Sequence, residues 1–142
     1  MSHHREPVTA VGAPAAVGPY SHGVVAGGLL FCSGQTPLDP ETNTLVEGTV
    51  GDRTRRCLDN LAAVCAAAGA QLGDAVRCGV YVTDLGAFAE VNEVYGSFFP
   101  AAPPARVQAD GTTASDRPPS ALPHVALSMA VVANQPVAVP VG

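Results

Sequence analysis

The chain has 142 residues, a length typical of one domain with a single hydrophobic core. Hydrophobic residues make up 47% of it and charged residues only 13%, so we expect apolar surface that is covered by self-association. The net charge of −5 argues against nucleic acid as a main partner, because binding to phosphates relies on clustered Lys and Arg.

After an N-terminal arm at residues 1–8, the first predicted element is a hairpin over residues 20–35. Gly27 and Gly28 supply the positive φ angles that its tight turn requires. A polar loop follows the second strand, from Pro37 to Thr44.

The sequence predicts a helix over residues 50–68. Thr49 and Asp52 form an acidic variant of the capping box at its start, and Gly69 is suited to end it. Helical spacing of apolar residues predicts one buried face, which consists of Leu58, Leu61, Ala62, Cys65 and Ala68.

A strand and a second helix follow. Residues 75–83 alternate in polarity, which predicts a half-buried strand with Val76, Cys78, Val80 and Val82 on its inner face. Residues 86–99 predict a helix that Pro100 prevents from continuing. The inner side of this helix carries Phe88, Val91, Tyr95 and Phe98.

The last part of the chain predicts two strands, at 105–109 and 125–133, separated by a long flexible loop at 110–121 and followed by a tail at 134–142. The order β-β-α-β-α-β-β predicts a single α/β domain over residues 1–142, with both helices on one face of a mixed, mostly antiparallel sheet. The other face of the sheet then needs a partner, and oligomerisation supplies one.

The cysteines predict neither a metal site nor a disulfide framework. Cys32, Cys57, Cys65 and Cys78 form no CxxC pair and have no zinc-ligand spacing, and three of them lie in apolar periodic surroundings. No segment reaches the ~18 apolar residues of a membrane span, and residues 1–7 lack the apolar core of a secretory signal. We therefore expect a cytoplasmic protein.

Arg106 is the candidate ligand-binding residue. It closes the run Pro103-Pro104-Ala105-Arg106 at a junction of loop and strand. A guanidinium in such a position can bind a carboxylate through two parallel hydrogen bonds, although an ordinary surface arginine is the alternative.

Several motifs together resemble the reactive intermediate deaminase (Rid, or YjgF-type) family, in order and without evident gaps over residues 8–106. The motifs are Gly18-Pro19-Tyr20-Ser21-His22, Ser33-Gly34-Gln35, Leu58-Asp59-Asn60-Leu61, Val91-Asn92-Glu93-Val94-Tyr95 and Pro103-Pro104-Ala105-Arg106.

The resemblance implies a chorismate-mutase-like fold and a homotrimer whose sheets pack into a central barrel, with a ligand cleft at each subunit interface. It implies hydrolysis of 2-imino acids or their enamine tautomers to 2-keto acids and ammonia, without metal or cofactor. It assigns carboxylate binding and catalysis to Arg106, a catalytic and substrate-binding role to Tyr20, and substrate binding to Ser33, Gly34 and Asn92. Each of the last four also has a structural alternative, such as packing, local capping or a tertiary hydrogen bond.

The resemblance weakens after Arg106. The family places glutamates in its last strand, and the first of them is thought to handle the hydrolytic water; the alignment puts Met129 and Val131 at these positions. Asp110 or Asp116 in the loop, or His22 or His124, are candidates to replace that group, unless the alignment slips locally. The alternative function is a trimer that binds small carboxylates without catalysis. RNA cleavage, claimed for some relatives, fits the acidic composition least.

Overall fold

The computed structural model describes residues 4–110 and 125–132, and in this part of the chain six strands form one sheet. The strands are β1 (Glu6–Val8), β2 (Gly23–Ala26), β3 (Leu29–Gln35), β4 (Ala75–Val82), β5 (Ala105–Asp110) and β6 (Val125–Val132). The helices are α1 (Val50–Ala67) and α2 (Phe88–Phe98), with short 3-10 helices at Leu72–Asp74 and Leu85–Ala87. Within the described residues, neither α-helix is long and apolar enough to cross a membrane.

The sheet is mixed, with the strand order β1-β2-β3-β6-β4-β5. Only the edge pair β4 and β5 is parallel among the described strands, and the other neighbours pair antiparallel. A parallel pair needs a crossover, and α2 provides it between β4 and β5. The mixed, mostly antiparallel sheet of the sequence analysis is confirmed.

Both helices cover the same face of the sheet. One core cluster joins Leu30 and Val80 of the sheet to Leu58 of α1 and Val91 of α2, and all four side chains are fully buried. Phe31, the neighbour of Leu30 on β3, points to the other face and is 47% exposed. One face of the sheet therefore carries the core, and the other leaves large apolar side chains uncovered in a single chain.

Helix α1 begins and ends as predicted, but its buried face is broader. Thr49 and Asp52 form the capping box, and Gly69 takes a φ of 76° after the C-cap. Ala62, predicted as buried, is only half-buried. The buried face instead extends to Val64, because the N-terminal segment at Ala10 and Ala13 packs against α1 in a second core cluster. Its remaining buried residues are Gly51, Thr54, Cys57 and Asn60.

The predicted alternation of β4 holds at Cys78, Val80 and Val82 and is wrong at Val76, which is 46% exposed. The pairing of β4 with β6 shifts register between Ala75 and Arg77, and this bulge takes Val76 out of the alternation. Strand β1 was not predicted, since its three residues lie within the segment assigned to the N-terminal arm.

The inner side of α2 is narrower than its sequence suggested. Val91 and Tyr95 are buried, whereas Phe88 and Phe98 are half-buried and pack at the margin of the core. Phe98 carries the guanidinium of Arg55 over its ring, with 5.6 Å between the Arg55 Cζ and the ring centroid.

The predicted strand 125–133 is confirmed over Val125–Val132. Residues 111–124 and 133–142, which hold most of the predicted loop and the tail, lie outside the described residues.

Asn60 ties α1 to the segment that follows β3. Its buried amide nitrogen donates to the carbonyl oxygens of Thr36, at 3.3 Å, and Leu38, at 3.0 Å. Its amide oxygen accepts from Arg56 Nε at 3.1 Å. The polar groups of Asn60 are thus paired, and the chain beyond Gln35 is held in one place against the helix.

We expect Asn60→Ala to lower the free energy of unfolding by about 2–4 kcal/mol, because it leaves two backbone carbonyls without their donor and opens a small cavity. Urea denaturation at one fixed protein concentration measures this change. Asp59→Ala, at the exposed neighbouring position, is the matched control and should stay within about 0.5 kcal/mol of wild type. Equal urea midpoints for Asn60→Ala and wild type would contradict this role.

Candidate functional site

Arg106 lies on β5, the edge strand, with its Cα in register with that of Cys78 on β4. Its guanidinium lies over the ring of Tyr95 from α2, with 5.0 Å between Cζ and the ring centroid. Its Nη2 donates to Oε1 of Gln108 at 2.5 Å. The side chain is half-buried and forms no ion pair with a described carboxylate. A partly desolvated positive charge is therefore available to an anion.

Two buried residues, Cys78 and Tyr95, lie beneath the Arg106 guanidinium. Burial raises the pKa of the Cys78 thiol to about 11, against the opposing effects of the Tyr95 hydroxyl and the positive charges of Arg106 and Arg77. Burial also raises the pKa of Tyr95, and the neighbouring thiol adds to this. Among the described residues the buried Tyr95 hydroxyl has no hydrogen-bond partner, and the Cys78 thiol lies near it. Both groups are neutral at physiological pH.

A second group of predicted site residues lies at the open end of the β2–β3 hairpin, opposite its turn, and consists of Tyr20, Ser33 and Gly34. The Ser33 hydroxyl donates to the carbonyl oxygen of Ser21 at 2.5 Å, so it bonds to backbone, the structural alternative to substrate binding. Gly34 is exposed, and Tyr20 is 48% exposed with its hydroxyl accepting from the Val17 N–H at 3.4 Å. Tyr20 lines a cavity of about 410 Å³ formed mainly by the N-terminal segment.

His22 holds this second group against the N-terminal segment. The ring is buried, its Nδ1 accepts from the Ala10 N–H at 2.8 Å, and its Nε2 donates to the Pro14 carbonyl oxygen at 2.8 Å. Because both ring nitrogens are occupied, His22 has no free nitrogen with which to take a proton from water. The hypothesis that His22 acts as the base is wrong, and its role is structural.

One chain does not bring the two groups together. Strands β6 and β4 lie between β3, which carries Ser33, and β5, which carries Arg106. Three strand spacings amount to about 14 Å, more than one short acid can span. Asn92 lies on the exposed side of α2 and forms no side-chain hydrogen bond within the described residues, so its tertiary contact stays a prediction.

Met129 lies at the centre of the row that ends at Arg106. The Cα atoms of Cys32, Met129, Cys78 and Arg106 are successive register partners across β3, β6, β4 and β5. The position aligned with the family's glutamate is therefore on the strand beside the Cys78 and Arg106 pair. Of the candidates to replace that glutamate, Asp110 ends β5, whereas Asp116 and His124 lie outside the described residues.

Tyr95 and Gln108 are the residues of this site that the sequence analysis missed. The helical spacing of apolar residues in α2 predicts that Tyr95 is buried, and its ring is buried. This spacing gives no information about the contact between Tyr95 and Arg106. Gln108 is two residues from Arg106 on the same strand, and this spacing was the available signal, since it places both side chains on one face.

A family model described as endoribonuclease L-PSP matches residues 11–118. Protein DfrA of Myxococcus xanthus is 53% identical over 96 residues, which are 66% of this chain and 73% of DfrA. TdcF of Escherichia coli K12, named as a reactive intermediate deaminase, is 45% identical over 87 residues, which are 61% of this chain and 67% of TdcF.

Solved structures of proteins with related names also match this chain. A Thermotoga maritima protein described as an endoribonuclease matches with a TM-score of 0.81 and 38% identity, covering 92% of this chain and 98% of that protein. The crystal structure of E. coli TdcF with bound serine matches with a TM-score of 0.78 and 34% identity, covering 89% of this chain and 98% of TdcF.

The raised pKa of Cys78 predicts a loss of stability in alkaline solution. Folding raises this pKa from 9.0 to about 11, so the folded state holds the thiol proton more tightly than the unfolded state does. The resulting stabilisation is complete below about pH 9 and is lost as the pH rises through about 11. Its size is on the order of 3 kcal/mol.

Cys78→Val removes the titrating group and keeps a small apolar side chain at this buried position. We expect the free energy of unfolding of wild type to fall more steeply than that of Cys78→Val between about pH 9 and about pH 11. Urea denaturation in reducing buffer across this interval measures both slopes. Parallel pH profiles for the two proteins would show that Cys78 does not titrate as described.

Proposed function

The chain belongs to the Rid (YjgF-type) family, and from this premise we propose that it hydrolyses 2-imino acids or their enamine tautomers to 2-keto acids and ammonia. The observation that carries the proposal is the guanidinium of Arg106, which is half-buried over the Tyr95 ring and unpaired with any described carboxylate. A small acid has a carboxylate next to its C=N carbon, so an arginine that binds the carboxylate also places that carbon.

Binding of the acid relies on the shape of the guanidinium as well as its charge. Arginine presents parallel N–H groups that match the two oxygens of a carboxylate, and such a charge-assisted bond contributes about 1.5–3 kcal/mol. The TdcF crystal structure with bound serine describes an amino acid, also a small carboxylate, bound to a relative. This supports a small 2-imino or 2-keto acid as the ligand of Arg106.

Tyr20, Ser33 and Gly34 enter the site from a neighbouring copy in this proposal. Ser33 and Gly34 lie on β3, about 14 Å from the Arg106 strand across the sheet of one chain, so a shared cleft requires a second subunit. The open face of the sheet supplies the contact, with Phe31 47% exposed and Val107 42% exposed. A closed homotrimer, in which these faces meet in a central barrel, covers the apolar surface and forms equivalent clefts.

The reaction adds water to the C=N carbon and then breaks the C–N bond. The imino acid and water give a tetrahedral carbinolamine, which collapses to the 2-keto acid and ammonia without a redox step. Imines hydrolyse readily, so positioning of water and substrate and transfer of protons account for most of the catalysis required. The hydroxyl of Tyr20 is the group assigned to orient water or a proton in the shared cleft.

Met129 sets an upper limit on the rate. A methionine cannot accept a proton from water, and loss of a general base lowers rates by roughly 10²–10⁴. The proposal therefore includes a slow deaminase or one that acts on a particular imine. The same residue favours the second candidate function, a trimer that binds small carboxylates at Arg106 without turnover.

We expect the wild-type protein to accelerate ammonia release from 2-iminobutanoate that an amino-acid oxidase generates in situ. Arg106→Ala should lower kcat/KM about 10- to 150-fold, which corresponds to the loss of one charge-assisted interaction. Arg106→Lys should recover only part of this, because an ammonium group cannot form the paired bonds of a guanidinium.

Arg55→Ala is the matched control, since the Arg55 guanidinium also lies over an aromatic ring, that of Phe98, but extends from α1 and not from β5. It should keep kcat/KM within about 2-fold of wild type, as expected for a surface substitution away from the site. Absence of acceleration by wild type, or full activity in Arg106→Ala, would reject the deaminase. Saturable binding of 2-oxobutanoate that is lost in Arg106→Ala, with no turnover, would select the carboxylate-binding trimer.

A further inference from the structure

The guanidinium of Arg106 has two neighbours, the ring of Tyr95 beneath it and the side-chain amide of Gln108, which accepts a hydrogen bond from it. From this arrangement we propose that Tyr95 and Gln108 are positioning residues, which present one edge of Arg106 to the substrate carboxylate and so set the affinity for it. The inference rests on the proposed function, since it concerns the same site.

Tyr95 is a rigid support for the guanidinium. Its side chain is 4% exposed and packs against Phe99, with 4.8 Å between the ring centroids and 43° between the ring planes. A cation over the face of an aromatic ring is attracted to it, more strongly where water is partly excluded. Because this attraction acts on the charge and occupies none of the N–H groups with an oxygen acceptor, the hydrogen-bonding edges of the guanidinium are left for other partners.

Gln108 occupies part of one of these edges. A guanidinium offers two edges to a carboxylate, one formed by Nε and Nη2 and the other by Nη1 and Nη2. Nη2 contributes one hydrogen to each edge, and it donates to Gln108 Oε1. Whichever hydrogen is used, one edge stays complete and the other does not. The pair therefore selects a single orientation for a bound carboxylate.

The neutrality of Gln108 matters as much as its position. An amide oxygen orients the guanidinium but leaves its positive charge for a ligand. A carboxylate at this position would pair with Arg106 within the same strand and compete with the substrate. Gln108 is exposed, so substitutions there test the role of the side chain without disturbing the core.

Gln108→Glu provides the sharpest test. We expect this variant to raise the Kd for 2-oxobutanoate, measured by calorimetry, at least 10-fold, and to raise the KM for 2-iminobutanoate by at least the same factor. The value of kcat should stay within about 2-fold of wild type, because the new carboxylate competes with the substrate for Arg106 but is displaced at saturation. Gln108→Ala should raise both constants about 2- to 10-fold, the loss of one orienting hydrogen bond. Gln71→Glu, which adds the same charge at another exposed glutamine, should leave all three values within 2-fold.

Tyr95 is tested by a pair of substitutions. Tyr95→Phe keeps the ring and should bind 2-oxobutanoate within about 2-fold of wild type, whereas Tyr95→Leu removes the π face and should raise Kd about 5-fold or more. The ring-current shift of the Arg106 side-chain protons in NMR spectra should persist in Tyr95→Phe and disappear in Tyr95→Leu. This readout needs no ligand.

The outcomes separate this inference from the proposed function. Wild-type values of Kd and KM in Gln108→Glu, or no ring-current shift of Arg106 in the wild-type protein, would overturn the inference while leaving deamination intact. A wild-type protein with the ring-current shift but without binding or turnover of either acid would reject the proposed function and, with it, the role of both residues in affinity.

Discussion

The guanidinium of Arg106 lies over the ring of Tyr95, and the proposed carboxylate binding depends on the positive charge that this contact positions. It joins an edge strand to the helix that crosses back over the sheet, so the fold itself brings the charge to the ring. Because Tyr95 is packed into the core, the position of the guanidinium follows from the packing of the whole domain. A flexible surface arginine would have to be ordered by the ligand, at an entropic cost that this contact reduces.

The second constraint is the strand order, which separates the halves of the candidate site within one chain. Arg106, Tyr95 and Gln108 lie at the β5 edge, whereas Tyr20, Ser33 and Gly34 lie beyond two further strands. Asn60 and His22 fix the second half by bonding to backbone groups on either side of it. Each half is thus held by its own contacts, and in the proposed function the two halves meet between neighbouring copies.

Much of the fold could be predicted from local signals. The capping box at Thr49 and Asp52 and the stop at Gly69 define α1, and the polarity pattern of β4 is correct from Cys78 onward. The bulge at Val76 could not be predicted, because it arises from pairing with a strand about fifty residues later in the chain. The width of the buried face of α1 likewise depends on a distant segment, the one at Ala10 and Ala13.

The candidate site was predicted less completely than the fold. The position of Arg106 at a loop-to-strand junction follows from the motif, but its half-buried state and the Tyr95 ring beneath it do not. The spacing that predicts a buried tyrosine gives no information about what lies over its ring. His22 shows the converse. A histidine next to a motif tyrosine invites a catalytic interpretation, and only its two hydrogen-bond partners reveal that it is structural.

A crystal structure of the protein with 2-oxobutanoate tests the central claim most directly. The account predicts that the carboxylate of the acid lies on the open edge of Arg106, at the boundary between two copies, with Tyr20 and Ser33 of the neighbouring copy beside it. An acid bound elsewhere, or Arg106 in bulk solvent far from any subunit boundary, would contradict the account even if the fold is as described.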